Sequence, residues 1–162
     1  MVESVIPPVA FATVSNGVHR SSHPSTTSYP FLQTLQLKTA ICVDKCDIRK
    51  EFREFCVRND IVLIERDVGF NQEPFIVMSQ PVVQDVINVA LDPKYQPCLI
   101  FCGNGKLKTS TVIGCLRMAL NWSFTSTIDE FVRYAGPEGG LHDIQFIENF
   151  RPSEVCRQSD SS

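Results

Sequence analysis

A chain of 162 residues with 43% hydrophobic and 20% charged side chains can bury one full core, which fits a single globular domain over 1–156. A formal net charge of −3 gives no broad basic field and so argues against nucleic acid as a partner; no apolar run approaches the ~18 residues of a membrane span. Seven cysteines fit no disulfide framework, and Cys42, Cys98 and Cys115 lie in apolar segments, so buried, reduced thiols and a cytoplasmic location are expected.

The segment from Phe11 to Val18, with Asn16-Gly17, predicts a strand and a tight turn. Residues 21–28 follow as a polar loop, and 29–35 as a short helix with Pro30 in its first turn. Thr39-Ala-Ile-Cys-Val43 is a β-rich apolar run. The stretch 48–59 is amphipathic, with Phe52, Phe55 and Cys56 on one stripe. Ile61-Val-Leu-Ile64 is the next strand, and a loop occupies 67–75. A helix over 81–91 carries Val82, Val86, Ile87 and Ala90. Cys98-Leu-Ile-Phe101 is a strand, and a largely apolar helix begins near Thr109. Thr127 with Glu130 has the spacing of a capping box for a helix through about Tyr134. Gly136-Pro-Glu-Gly-Gly140 ends it, a last helix runs over 142–150, and 157–162 form a disordered tail. Alternating strands and helices predict an α/β domain with a largely parallel sheet.

Chemistry concentrates in Cys102-Gly-Asn-Gly-Lys-Leu-Lys-Thr-Ser110, between a strand and a helix. Such a loop turns its backbone N–H groups onto an anion, and the helix N-terminus adds partial positive charge. A cysteine opening it is a candidate nucleophile. Gly103, Asn104, Gly105, Lys106, Leu107 and Lys108 are the candidate phosphate contacts. Two lysines at a helix start are unfavourable unless an anion lies between them. Cys42 and Cys46 lack a second pair with zinc spacing, so no metal site is expected. Arg20 reads as a structural ion-pair partner, and His19 and His23 as surface or loop residues. A redox role for Cys102 would need a resolving thiol, and Cys98 is near in sequence.

These residues resemble the plant and fungal atypical dual-specificity phosphatases, a branch of the cysteine-dependent phosphatases. The resemblance covers Ile6-Pro-Pro, Gly17-Val-x-Arg-Ser21, Phe31-Leu-Gln-Thr-Leu35, Asn71-Gln-Glu-Pro-Phe75, the cysteine loop, Gly114-Cys-Leu-Arg117 and 125–131. It implies a cysteine-phosphatase fold that needs no metal or organic cofactor. It also implies ligands that are phosphorylated small molecules, inositol pyrophosphates among them, or phosphoproteins. Related phosphatase-like subunits are conceivable partners. Against the family pattern His-Cys-x5-Arg-Ser/Thr, this chain has Phe101 for the histidine and Lys108 for the arginine. Lysine keeps the charge but not the two-pronged donation to a phosphoryl group. Ser110 stands for a family glycine, a small change on its face. Thr109 matches the residue that assists the departing thiolate, and Asp143 a family aspartate. The acid loop reads Gly69-Phe-Asn-Gln-Glu-Pro-Phe75, leaving Asp67 and Glu73 as candidate general acids. Two functions stay open: a slow phosphatase working through a phosphocysteine, and an inactive pseudophosphatase that binds a phosphorylated ligand as a regulatory subunit.

Overall fold

The computed structural model describes residues 5–45, 48–71, 76–103 and 107–152. Five strands, β1 (Ala12–Ser15), β2 (Val18–Ser22), β3 (Thr39–Cys42), β4 (Val62–Glu65) and β5 (Cys98–Cys102), form one sheet in the order β1-β2-β5-β3-β4. β1 runs antiparallel to β2, and the other pairings are parallel. The helices are α1 (Tyr29–Thr34), α2 (Lys50–Arg58), α3 (Gln80–Leu91), α4 (Leu107–Ala119), α5 (Phe124–Ala135) and α6 (Leu141–Asn149). This is the expected α/β architecture with a mostly parallel sheet. No helix among the described residues is long and apolar enough to cross a membrane.

Because strand side chains alternate, the central strand feeds two cores. Cys98, Ile100 and Cys102 of β5 join the cluster that includes Val83, Val86 and Ile87 of α3 and Val112, Ile113 and Leu116 of α4. Leu99 and Phe101 point the other way, into a cluster with Phe52, Phe55 and Cys56 of α2. The α2 stripe is therefore core, as its spacing predicts. α4 is buried along most of its length, and Gly114 lets it close on α6. A Cβ at Gly114 would stand 2.6 Å from Ile147 Cδ1.

The differences from the sequence reading have specific causes. Residues 18–22, read as the end of a strand and the start of a polar loop, are one fully buried strand. Gly17, at φ +82°, makes the turn into it. β2 lies beside β5, so its polar side chains need interior partners, and most of their polar atoms have them. Arg20 Nη2 donates to Ser110 Oγ at 2.7 Å, His19 Nδ1 lies 3.0 Å from Thr13 Oγ1, and Ser22 Oγ donates to the Val9 carbonyl at 2.8 Å.

Of the two histidines read as surface or loop residues, His19 is neither, whereas His23 does lie in the bend after β2. His19 is buried, and His23 is half-buried with its ring edge against Phe52 and Phe101. α5 begins three residues before the proposed capping box, with Ser123 accepting from the Ser126 N–H. Thr127 instead donates back to the Ser123 carbonyl, and Glu130 pairs with Arg117. α4 starts at Leu107 rather than Thr109, and α3 at Gln80 behind the Ser79 cap.

Candidate active site

Parallel strands bring their carboxyl ends to one edge, where ligands of such sheets bind. Ser22, Cys42 and Cys102 close β2, β3 and β5 there, with Ser22 opposite Cys102 and Cys42 opposite Phe101. The chain then turns from Cys102 into α4. Cys102 is 2% exposed, and Gly103 is open to solvent. Leu107 is half-buried and packs on the α4-side core, which seats the first turn of the helix. Asn104, Gly105, Lys106 and the candidate acid Glu73 lie outside the described residues, as do Cys46 and the 157–162 tail.

Three of the predicted residues meet at this corner. Thr109 is fully buried, and its hydroxyl has no hydrogen-bond partner among the described residues. A buried hydroxyl left unbonded costs free energy, so it calls for a partner. Lys108 is held from outside. Its Nζ donates to Asp44 Oδ1 at 2.8 Å and stands 3.6 Å from Asp67 Oδ1. Burial opposes the charge, but the hydrogen bond and field of Asp44, with Asp67 behind, outweigh it and raise the lysine pKa. Asp67 Oδ1 also accepts from the Gly69 N–H at 3.0 Å, which pins the start of the loop after β4.

Asp44 is a site residue that the sequence reading missed. It follows the buried run 39–43 at the carboxyl end of a parallel strand, and the topology rule could have marked it. Asp143 sits 3% exposed on α6 and accepts from Asn71 Nδ2 at 2.9 Å. Asn71 Oδ1 in turn accepts from the Met78 N–H, so this pair anchors the loop that carries the candidate acids.

Phe101, in the histidine's place, is fully buried between His23 and Phe52, at centroid separations of 5.4 and 5.3 Å. It brings no polar atom to the loop. His23 turns its own polar atoms elsewhere: Nδ1 lies 3.0 Å from the Pro24 carbonyl, and Nε2 accepts from the Arg49 N–H. That pattern fits the neutral Nδ1–H tautomer.

Two readings change at this site. Arg20 makes no ion pair among the described residues, because Glu130, the acid facing it, is forked onto Arg117 at 3.1 and 2.9 Å. Ser110 is more than a small replacement, since its hydroxyl accepts from Arg20 across 90 residues of chain. The disulfide idea also fails on distance. Cys98 and Cys102 are the two ends of β5, about 13 Å apart at a strand's rise, whereas disulfide Cα atoms lie within about 7 Å. Burial also pushes the Cys98 thiol up to about 12.

The chain is 37% identical over 145 residues to the probable tyrosine-protein phosphatase DG1060 of Dictyostelium discoideum, covering 90% of this chain and 87% of that one. It is 33% identical over 151 residues to the inositol diphosphatase DSP1 of Oryza sativa subsp. japonica, covering 93% and 68%. Among solved structures, it is similar to the core catalytic domain of the PP-IP phosphatase SIW14 from S. cerevisiae in complex with citrate. That likeness has a TM-score of 0.88 at 33% identity, covering 98% of this chain and 95% of that one. A model of the tyrosine phosphatase family matches residues 5–162, nearly the whole sequence, and the chain belongs to that family.

Proposed function

We propose that this single-domain, cytoplasmic protein takes a phosphate ester or an inositol pyrophosphate into the loop from Cys102 to Ser110 and hydrolyses it slowly. The observation that carries the proposal is the corner itself. A buried cysteine ends the central strand, a helix start follows it, and on that helix stands a buried threonine hydroxyl with no hydrogen-bond partner among the described residues. The relatives' names supply the ligand class.

In the proposed reaction the Cys102 thiolate attacks phosphorus. The bond from phosphorus to the leaving oxygen breaks, and that oxygen takes a proton from Asp67 or Glu73. Gly103, Asn104, Gly105, Lys106 and Leu107 offer backbone N–H groups to the phosphoryl oxygens, and Lys108 adds its charge. Water, giving its proton back to the acid, then attacks phosphorus. The S–P bond breaks toward the Thr109 hydroxyl, which donates to the departing thiolate. A lysine in the arginine's place weakens the hold on the transition state more than on the bound ligand, so the cost falls on turnover.

A second reading, a pseudophosphatase that binds a phosphorylated ligand as a regulatory subunit, is favoured by one observation. Lys108 is already engaged by two carboxylates, so an arriving anion must compete for it. The test is phosphate release from 5-diphosphoinositol pentakisphosphate and from an aryl phosphate, beside Cys102→Ser. Release that disappears with the serine supports the slow enzyme. Equal release from both proteins, with anion binding retained, supports the pseudophosphatase.

A further inference from the structure

Arg20 has no surface role to explain it. It is 1% exposed, on a strand surrounded by protein. Burying a guanidinium without a hydrogen-bonded counter-charge is costly: burial, with Arg117 nearby, outweighs the fields of Glu130, Tyr134 and Cys102 and pulls this one down to about 10. Its described contacts are a hydrogen bond to Ser110 and a cation–π contact with Tyr134, whose ring centroid lies 4.1 Å from Cζ. Nε and Nη1, both buried, have no partner among the described residues. The groups that face it are Glu130 and Tyr134 from α5, Arg117 from α4 and Cys102 from β5. Arg117 holds Glu130 in a two-pronged pair, so that acid is already matched.

The sheet register adds direction. Arg20 is opposite Ile100, and Ser22 is opposite Cys102. Residues two apart share a face, so Arg20 lies on the Cys102 side of the sheet, under the corner that turns into α4. Its bond to Ser110 fastens it to the first turn of that helix. A buried cation with no hydrogen-bonded anion among the described residues therefore shares the face of Cys102 and is tied to the first turn of α4.

We infer that Arg20 is a positioning residue for Cys102: its charge, held in place by Ser110 on the same face of the sheet, favours the cysteine's thiolate. This rests on the reading of Cys102 as nucleophile. It also gives the thiolate a source of support on the face opposite Phe101, where the family histidine is missing.

The experiment is iodoacetamide alkylation of Cys102 in the full chain, followed by mass spectrometry over roughly pH 5 to 9, the range that brackets a thiol's titration. Cys102→Ser identifies the labelled peptide, and thermal melts report folding. Arg20→Gln should slow alkylation at neutral pH by about tenfold and move its midpoint upward, as loss of a nearby unit charge would. Arg20→Lys, which keeps the charge, should stay within about threefold of the wild type.

A merely structural arginine would lower the melting temperature in both variants and leave the midpoint in place; that result overturns the inference. Should Arg20→Gln fail to fold, Ser110→Ala removes the tether alone. About threefold slower alkylation is then expected from the loosened charge, and an unchanged rate sinks the idea. A wild-type Cys102 that alkylates no faster than in the denatured chain refutes the nucleophile reading itself, and this inference with it.

Discussion

Asp44→Asn isolates the competition that the site builds against its own ligand. Asp44 Oδ1 and Lys108 Nζ are 2.8 Å apart, with side chains 25% and 22% exposed. At an effective dielectric of about 20, the bare attraction at that distance is about 6 kcal/mol. Desolvation and the ordering of two side chains remove most of it. A net of about 1.5 kcal/mol is the scale of a charge-assisted hydrogen bond. A phosphate that needs Lys108 must break or share this pair, and 1.4 kcal/mol is about tenfold in affinity.

The amide keeps the side chain's shape and removes its charge. Inorganic phosphate should therefore bind Asp44→Asn about tenfold more tightly, read as a larger thermal shift at each concentration through RT ln(1 + [L]/Kd). Asp67→Asn acts at 3.6 Å on a 45% exposed side chain, and roughly a twofold gain is expected. Equal or weaker phosphate binding by Asp44→Asn would refute the reasoning, because Asp44 would then be aiming the lysine at the anion rather than withholding it.

Restoring the family pattern with Phe101→His and Lys108→Arg should raise aryl phosphate turnover by about 10²–10³, the scale of one transition-state donor. An inactive double variant would shift the fault to the acid loop. Burial lowers the pKa of both His19 and His23 below 6.5; at His23 the Pro24 hydrogen bond opposes that shift and Arg49 adds to it. Their stabilising contribution is thus complete above pH 6.5 and lost as pH falls toward the lower folded values, so replacing both with Gln should flatten the fall in melting temperature below that pH. Gly114→Ala drives a methyl into Ile147 and should cost about 1–3 kcal/mol in urea unfolding. Arg117→Ala strands Glu130 in a mostly buried pair and should cost about 3–5 kcal/mol in the same measurement.

Apolar patterning made β3, β5 and the amphipathic helices legible, because each buries what its sequence advertises. β2 was not legible for the opposite reason. Ser21 and Ser22 look like the start of a loop, and the burial of the strand's polar side chains makes sense only beside Ser110, Thr13 and the Val9 carbonyl, which lie 90, 6 and 13 residues from their partners. The same holds at the site. Cys102 through Ser110 could be found from its glycines and its position between a strand and a helix. Asp44 meets Lys108 across 64 residues, and no local spacing encodes that contact. The capping-box motif misled because Glu130 has a stronger partner in Arg117 than any backbone N–H.

The strand order has a consequence for how such a site can change over time. Three separate stretches of chain, those after β2, β3 and β5, arrive at one edge, and each carries a different property of the site. The proposed nucleophile Cys102 opens the third, Asp44, the counter-charge to Lys108, lies on the second, and the first follows the strand that holds the buried guanidinium. Affinity for an anion can therefore be raised or lowered by a substitution near position 44 without touching Cys102. Binding and turnover become separately heritable traits of one pocket, and a chain can give up speed while it keeps its grip.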